Sequence, residues 1–231
     1  MGVREHPVIF QADSIRAILA RRKSQTRRAI NPQPPETMVR AAVGVTGFWV
    51  GWDAEGNEVW NAYCPYGVPG DRLYVREKWG TSPGLDHVRP RDLPSGASIH
   101  YAADDICESG GWRVERWRPS IHMPRWASRI TLEVARVRVQ RVQDITEEDA
   151  TAEGMCYAAG GCCEWCNGSR YNHTWPSGCP HCGATGHTHR YHFQALWDRI
   201  NLRRGYGFDT NCRVWVIDFP LLPEAVRDAL P

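Results

Sequence analysis

"RITLEVARVRVQRVQDITEEDATAEGM", residues 129–155, passes from one periodicity to another without a spacer. From Arg129 to Val142 apolar and charged side chains alternate, the two-residue period of a strand with one face in a core. At Thr146 the pattern changes. Thr146 with Asp149 three residues on reads as a reciprocally capped helix start, and Gly154 reads as its stop. A long strand delivering the chain into a short capped helix points to an α+β fold, and the remaining elements are read outward from it.

Toward the N-terminus, "PVIF" (7–10) is a short apolar strand. A helix capped by Asp13 or Ser14 runs through about Ala20, with Ile15, Ile18 and Leu19 on one face. "INPQPPET" (30–37) holds three prolines and must be extended loop. "GFWVGWDAEGNEVWNAY" (47–63) predicts a hairpin, and "GDRLYVREKWG" (70–80) a turn followed by a strand from Arg72 to Trp79. Residues 80–98, rich in Pro and Gly, predict a flexible loop, before a strand at "SIHYAA" (98–103). Toward the C-terminus, "YHFQALWDRIN" (191–201) predicts a helix and "CRVWVIDF" (212–219) a buried strand. The sum is one α+β domain over 1–231 with mostly antiparallel strands, interrupted by a cysteine-rich insertion at 156–190.

A chain of 231 residues with 42% hydrophobic and 23% charged side chains is ordinary for a globular protein. No apolar run is long enough to cross a bilayer, and "MGVREHPVIF" lacks the apolar stretch and cleavage site of a signal peptide. The expectation is a cytoplasmic protein with no membrane partner; protein partners are not legible. The net charge of +2 is small, but it is unevenly spread. Ser14 to Arg28 carries six cations and no acid, and Arg113 to Arg141 carries eight arginines against Glu115 and Glu133. Arginine forks grip phosphate bidentately, which suits a nucleic-acid or nucleotide ligand. The 11 tryptophans are mostly core candidates, with a few available to stack a base.

Cys163, Cys166, Cys179 and Cys182 form C-x2-C, twelve residues, C-x2-C. Two such knuckles place four thiolates at tetrahedral reach of one Zn2+, and the coordinatively closed set predicts a structural metal. A disulfide framework is the alternative, and it needs an oxidising compartment. Cys162, His173, His181, His187 and His189 are potential substitute ligands. Cys64, Cys107, Cys156 and Cys212 are scattered and read as core thiols.

"AILARRKSQTRR", "GDRLYV", the 129–155 stretch and the closing "VWVIDF" together resemble an ASCH domain, the small mixed β-barrel of the PUA-like group flanked by helices. With "FQALWDRIN" the chain is similar to longer ASCH proteins found in bacteriophage and prophage genomes. The resemblance covers most of 7–30, 70–79, 129–155 and 191–219. It implies a cleft for RNA or a modified base, and some members are amidohydrolases that deacetylate N4-acetylcytidine. In those, a lysine and a threonine three residues apart, in a G-[RK]-K-T-x-T-like stretch, act with a glutamate on the helix after the long strand. The resemblance places these roles on Lys23, Thr26 and Glu153. Ser24 stands where the family often has threonine and Arg21 where it often has glycine. The zinc insertion and residues 32–62 lie outside the compact enzymes.

Three functions fit these residues. The first is hydrolysis of an acylated or otherwise modified pyrimidine nucleoside, with Thr26 as nucleophile, Lys23 as base and Glu153 as acid. The second is a non-catalytic module that holds a base and phosphates, RNA favoured over DNA. The third is a nuclease. Expected substrate contacts are Arg22, Arg27 and Arg28 around the lysine, Arg72, Arg76, Glu77 and Trp79 on the "DRLYVREKW" strand, and Arg118 and Trp126 in the Trp- and Arg-rich crossing at 117–130. Each of them also has an ordinary structural use, as a solvated strand face or a core aromatic.

Overall fold

The computed structural model describes residues 2–44, 47–104, 114–155 and 189–220. Cys156, Cys162, Cys163, Cys166, Cys179 and Cys182, with His173, His181, His187 and Cys107, lie outside the described residues, and with them the zinc knuckles. The strands form small sheets and the helices are few, a mixed α+β architecture.

The first sheet sets β1 (Glu5–Ile9) parallel to β6 (Arg72–Arg76), with β9 (Thr131–Glu133) antiparallel on the far side of β6. In the second, β11 (Arg213–Asp218) is central, between β10 (Arg136–Arg141) and β2 (Gln25–Ala29), both antiparallel to it. A meander of β3 (Arg40–Val43), β4 (Phe48–Trp52) and β5 (Glu58–Tyr63) forms the third, and β7 (Trp79–Thr81) with β8 (Ile99–Tyr101) the fourth. Between β1 and β2 lies α1 (Ala12–Leu19). After β10 come α2 (Glu147–Ala152) and, past the undescribed stretch, α3 (His189–Asn201).

The apolar run of β11 is explained by burial on both faces. Trp215 and Ile217 point into the main core with Val8, Leu73, Val75, Ile130, Leu132 and Ile15 of α1. Val214 and Val216 point the other way, onto Ala150 of α2 and Phe193 and Trp197 of α3. The third sheet docks through aromatic contacts, with Trp49 and Trp60 ring centroids 5.4 and 5.7 Å from Trp215.

The single strand predicted over 129–142 is two. Val134 N donates to Asp71 O at 2.8 Å, in the loop before β6, and Ala135 N to Asp218 O at 2.8 Å, so the chain changes sheets between them. The inward set shifts phase accordingly, from Ile130, Leu132 and Val134 to Val137. The strand predicted from Arg72 to Trp79 is likewise divided into β6 and β7. The N-cap of α1 is Gln11, without a side-chain cap bond, and not Asp13 or Ser14; Asp13 sits in the first turn and pairs with Arg16. The hairpin, the Thr146–Asp149 capping box and Gly154 at φ +84° are found as read. Within 80–98 the chain makes 3-10 turns at Pro83–Leu85 and Pro90–Asp92, and Leu93 packs with Trp79 and Met123. Among the described residues no helix is long and apolar enough to cross a membrane.

Candidate active site

The basic run after α1 is not a continuing helix. Arg21 adopts φ +56°, Arg22 N and Lys23 N both donate to Ala17 O, and the chain reverses into the molecule. Lys23 then forms an isolated antiparallel bridge with Glu153, the C-cap residue of α2. Ser24 N donates to Ala152 O at 2.8 Å and Phe219 N to Ser24 O at 2.8 Å, locking β2 between α2 and β11. Residues far apart in sequence thus meet because β2 is the sheet edge that faces the end of α2.

Lys23 and Glu153 are 2% and 5% exposed. The Lys23 ammonium donates to Glu153 Oε2 at 2.6 Å and to the Glu153 carbonyl at 2.8 Å, which leaves one of its three N–H groups for the cavity. Burial pushes the Lys23 pKa down, with Arg28 and Arg27 adding to the effect and the Glu153 carboxylate opposing it. Glu153 Oε1 is buried without a hydrogen-bond partner, 3.6 Å from Arg27. Arg27 is held by Asp149 Oδ2 at 2.8 Å and by the Gln25 side chain, and Gln25 in turn donates to Asp149 and Asp218. Asp149 therefore caps α2 and anchors Arg27 at once. Burial acts to raise the Asp149 pKa, but Arg27, Gln25 and the cap hydrogen bonds overcome it and hold the carboxyl below its usual range.

Lys23, Thr26 and Glu153 all line one cavity of about 470 Å³. Its floor is β2, where Thr26 is paired with Ile217 and is 4% exposed. One wall is the end of β1 with Phe10, Tyr66 and Arg76; the opposite wall is α3, through Phe193, Leu196 and Trp197. Lys23 Nζ and the Arg28 guanidinium lie 5.6 and 5.0 Å from the Phe10 ring centroid. The cavity joins aromatic surface to a dense cationic lining, a chemistry suited to a flat heterocycle with an anionic substituent.

Comparison with family models, curated proteins and solved structures returns no match for this chain.

Of the expected substrate contacts, Arg27, Arg28 and Arg76 line the cavity. The others do not. Arg22 and Arg72 are exposed elsewhere, Arg72 at the opposite end of β6 against Glu5 and Glu133. Glu77 is buried in an ion pair with Arg129, 2.9 Å between Oε1 and Nε, and burial raises its pKa against that partner. Trp79 is fully buried. Arg118 stacks over Trp79 and donates to the carbonyls of Val88 and Leu85, both at 2.9 Å, closing that satellite core. Trp126 is half-exposed outside the cavity. Cys64 and Cys212 are free and buried; burial pushes the Cys64 thiol up to about 12, which makes it a packing group.

Phe10, Tyr66, Arg204 and Tyr206 were not singled out by sequence reading. "GYG" after "NLRR" marks only a turn, and nothing local shows that it faces β2. Among the described residues no group of three or more His, Cys, Asp or Glu side chains is arranged to hold a metal ion.

Proposed function

We propose that the cavity binds an acylated pyrimidine nucleoside and hydrolyses its exocyclic amide, on a fold of the small PUA-like barrel type. The convergence of Lys23, Thr26 and Glu153 on one enclosed volume carries this reading. Three functional groups from β2, the bridge residue before it and the C-cap of α2, with the lysine pKa pushed down and one carboxylate oxygen without a hydrogen-bond partner, are what acyl transfer needs.

Lys23 in its neutral form takes the Thr26 hydroxyl proton as Thr26 Oγ1 attacks the acyl carbon. Glu153, protonated through its hydrogen bond to Lys23, gives a proton to the departing exocyclic amine as the C–N bond breaks. The Thr26 ester is then hydrolysed by water, releasing the carboxylic acid and restoring the hydroxyl. Arg27, 3.6 Å from Glu153 Oε1, positions that carboxyl. The aromatic wall holds the base face.

The test is acetate release from N4-acetylcytidine. Wild-type protein is expected to turn it over, and Thr26→Ala to lower kcat by about a thousandfold or more, as removal of a nucleophile does. Absence of turnover across a panel of N-acylated nucleosides overturns hydrolysis. The Lys23–Glu153 pair, in which base and acid bind each other, favours one second reading: a module that holds a modified base in RNA without chemistry. Tight binding of an oligonucleotide bearing the modified base, with no acid released, selects it.

A further inference from the structure

The cavity lining carries five cations, Lys23, Arg27, Arg28, Arg76 and Arg204, against a single carboxylate, Glu153. Two of the five are answered by neighbours, Lys23 by Glu153 and Arg27 by Asp149. Arg28, Arg76 and Arg204 make no ion pair among the described residues. Arg28 donates instead to the Ile9 carbonyl at 2.6 Å, and Arg76 to the Tyr74 hydroxyl at 3.1 Å and the Ile121 carbonyl at 3.4 Å. These neutral acceptors orient the guanidinium groups without discharging them.

The strand ends bring Arg28 and Arg76 together. Ile9, whose carbonyl receives Arg28, is the β1 residue opposite Arg76, and Phe10 N donates to Arg76 O at 3.2 Å. Both side chains keep a buried Nε with no partner. Burial brings the Arg28 pKa below its ordinary value, with Tyr66 and the Glu153 carboxylate opposing the shift and the nearby charge of Arg204 adding to it. Uncompensated like charges gathered at one end of an enclosed site cost stability and raise the local concentration of anions. Arg76 also borders a second cavity of about 510 Å³, shared with Arg89, Arg91 and His122, so the cationic lining continues past the first site.

We propose that Arg28, Arg76 and Arg204 form a phosphate-ester subsite, and that the ligand of the cavity is a nucleotide and not a free nucleoside. The proposal rests on the nucleoside reading of the cavity given above. The base lies against the α3 wall of Phe193 and Trp197, and the phosphate oxygens take the donors of Arg28 and Arg76 that now point at neutral atoms, with Arg204 beside them. The phosphate is a monoester of a free nucleotide or a diester in a chain, and the second cavity supplies the means to tell them apart.

The experiment is calorimetric titration of the full chain with cytidine, cytidine 5′-monophosphate and inorganic phosphate, beside kcat/KM on N4-acetylcytidine and its 5′-monophosphate. The monophosphate is expected to bind about tenfold or more tighter than cytidine, as charge-assisted contacts confer. Arg76→Gln and Arg204→Gln are each expected to shrink that ratio, and the double variant to bring it near one. Arg204 lies on an exposed turn, so its variant reads the subsite even if Arg76→Gln fails to fold. Equal affinities for nucleoside and nucleotide overturn the subsite, whether or not N4-acetylcytidine is hydrolysed. Preferential nucleotide binding without any turnover upholds the subsite and sinks the hydrolytic reading. A cytidylyl dinucleotide that binds tighter than the monophosphate, with the gain lost in Arg89→Ala/Arg91→Ala, identifies the diester; equal affinity identifies the monoester.

Discussion

Lys23 and Glu153 illustrate what one buried pair does to a site. Breaking such a pair from one side strands a charge and costs about 3–5 kcal/mol, while replacing both partners with apolar groups costs far less. Lys23→Met is therefore expected to lower the urea midpoint sharply and Lys23→Met/Glu153→Met to recover most of the loss. If the double variant is no more stable than the single, the pair is not coupled. Asp149 gives a pH signature. Its folded pKa lies below the unfolded value of 3.8, so its contribution is complete above that value and lost as pH falls through the lower folded one. The stability gap between wild type and Asp149→Asn, about 1–3 kcal/mol at pH 7, should narrow as pH falls below 3.8 and close once pH passes the lower folded value. A gap that does not narrow anywhere below pH 3.8 refutes the charge pairing with Arg27. At this scale the sequence shows which residues can do chemistry and not which ones meet. The triad was legible only through resemblance. Trp79 and Trp197 look alike as letters, and only the packing puts one in a satellite core and the other on the cavity wall.

Elements were more readable, because capping and alternation are local. The Thr146 box and the hairpin depend on residues three to six apart, and they stand where the pattern places them. The division of the long strand depends on two ladders, yet a trace was present: Val134, Ala135, Arg136, Val137 breaks the two-residue period at the point where the chain leaves β6 for β11. The N-terminus of α1 misled because Gln11 starts the helix without using its side chain. Element ends also set the site. Since α2 has only six residues, its cap and its stop both act on Glu153. Thr146→Ala should cost about 1 kcal/mol in a denaturant titration. Gly154→Ala should cost more, because φ is +84° and a Cβ would lie 2.9 Å from Ala17 Cβ and 3.0 Å from Lys23 Cβ. The backbone approach that seats Lys23 beside Glu153 requires glycine there. A Gly154→Ala protein with wild-type midpoint and nucleotide affinity would show that it does not.

Across the whole molecule, the sheet of β10, β11 and β2 is the partition on which the site depends. One of its faces closes the main core and the other receives α2 and α3. The cavity needs both sides: β1 and β2 come from the N-terminal third of the chain, whereas α3 arrives only after residues 156–188. The return is clamped to α2, where His189 N donates to Glu147 Oε2 at 2.9 Å. We propose that Cys163, Cys166, Cys179 and Cys182 hold one structural Zn2+, a cross-link in the chain between α2 and α3 that would lower the entropy lost on docking α3. Protein purified without chelator should contain about one zinc per chain, and Cys179→Ser/Cys182→Ser should contain none. The same variant should melt at lower temperature and bind cytidine 5′-monophosphate more weakly, because the α3 wall of the cavity is no longer held in place. Zinc lost with melting temperature and affinity unchanged would separate the metal from the site, and zinc retained by the double serine variant would assign it to other ligands.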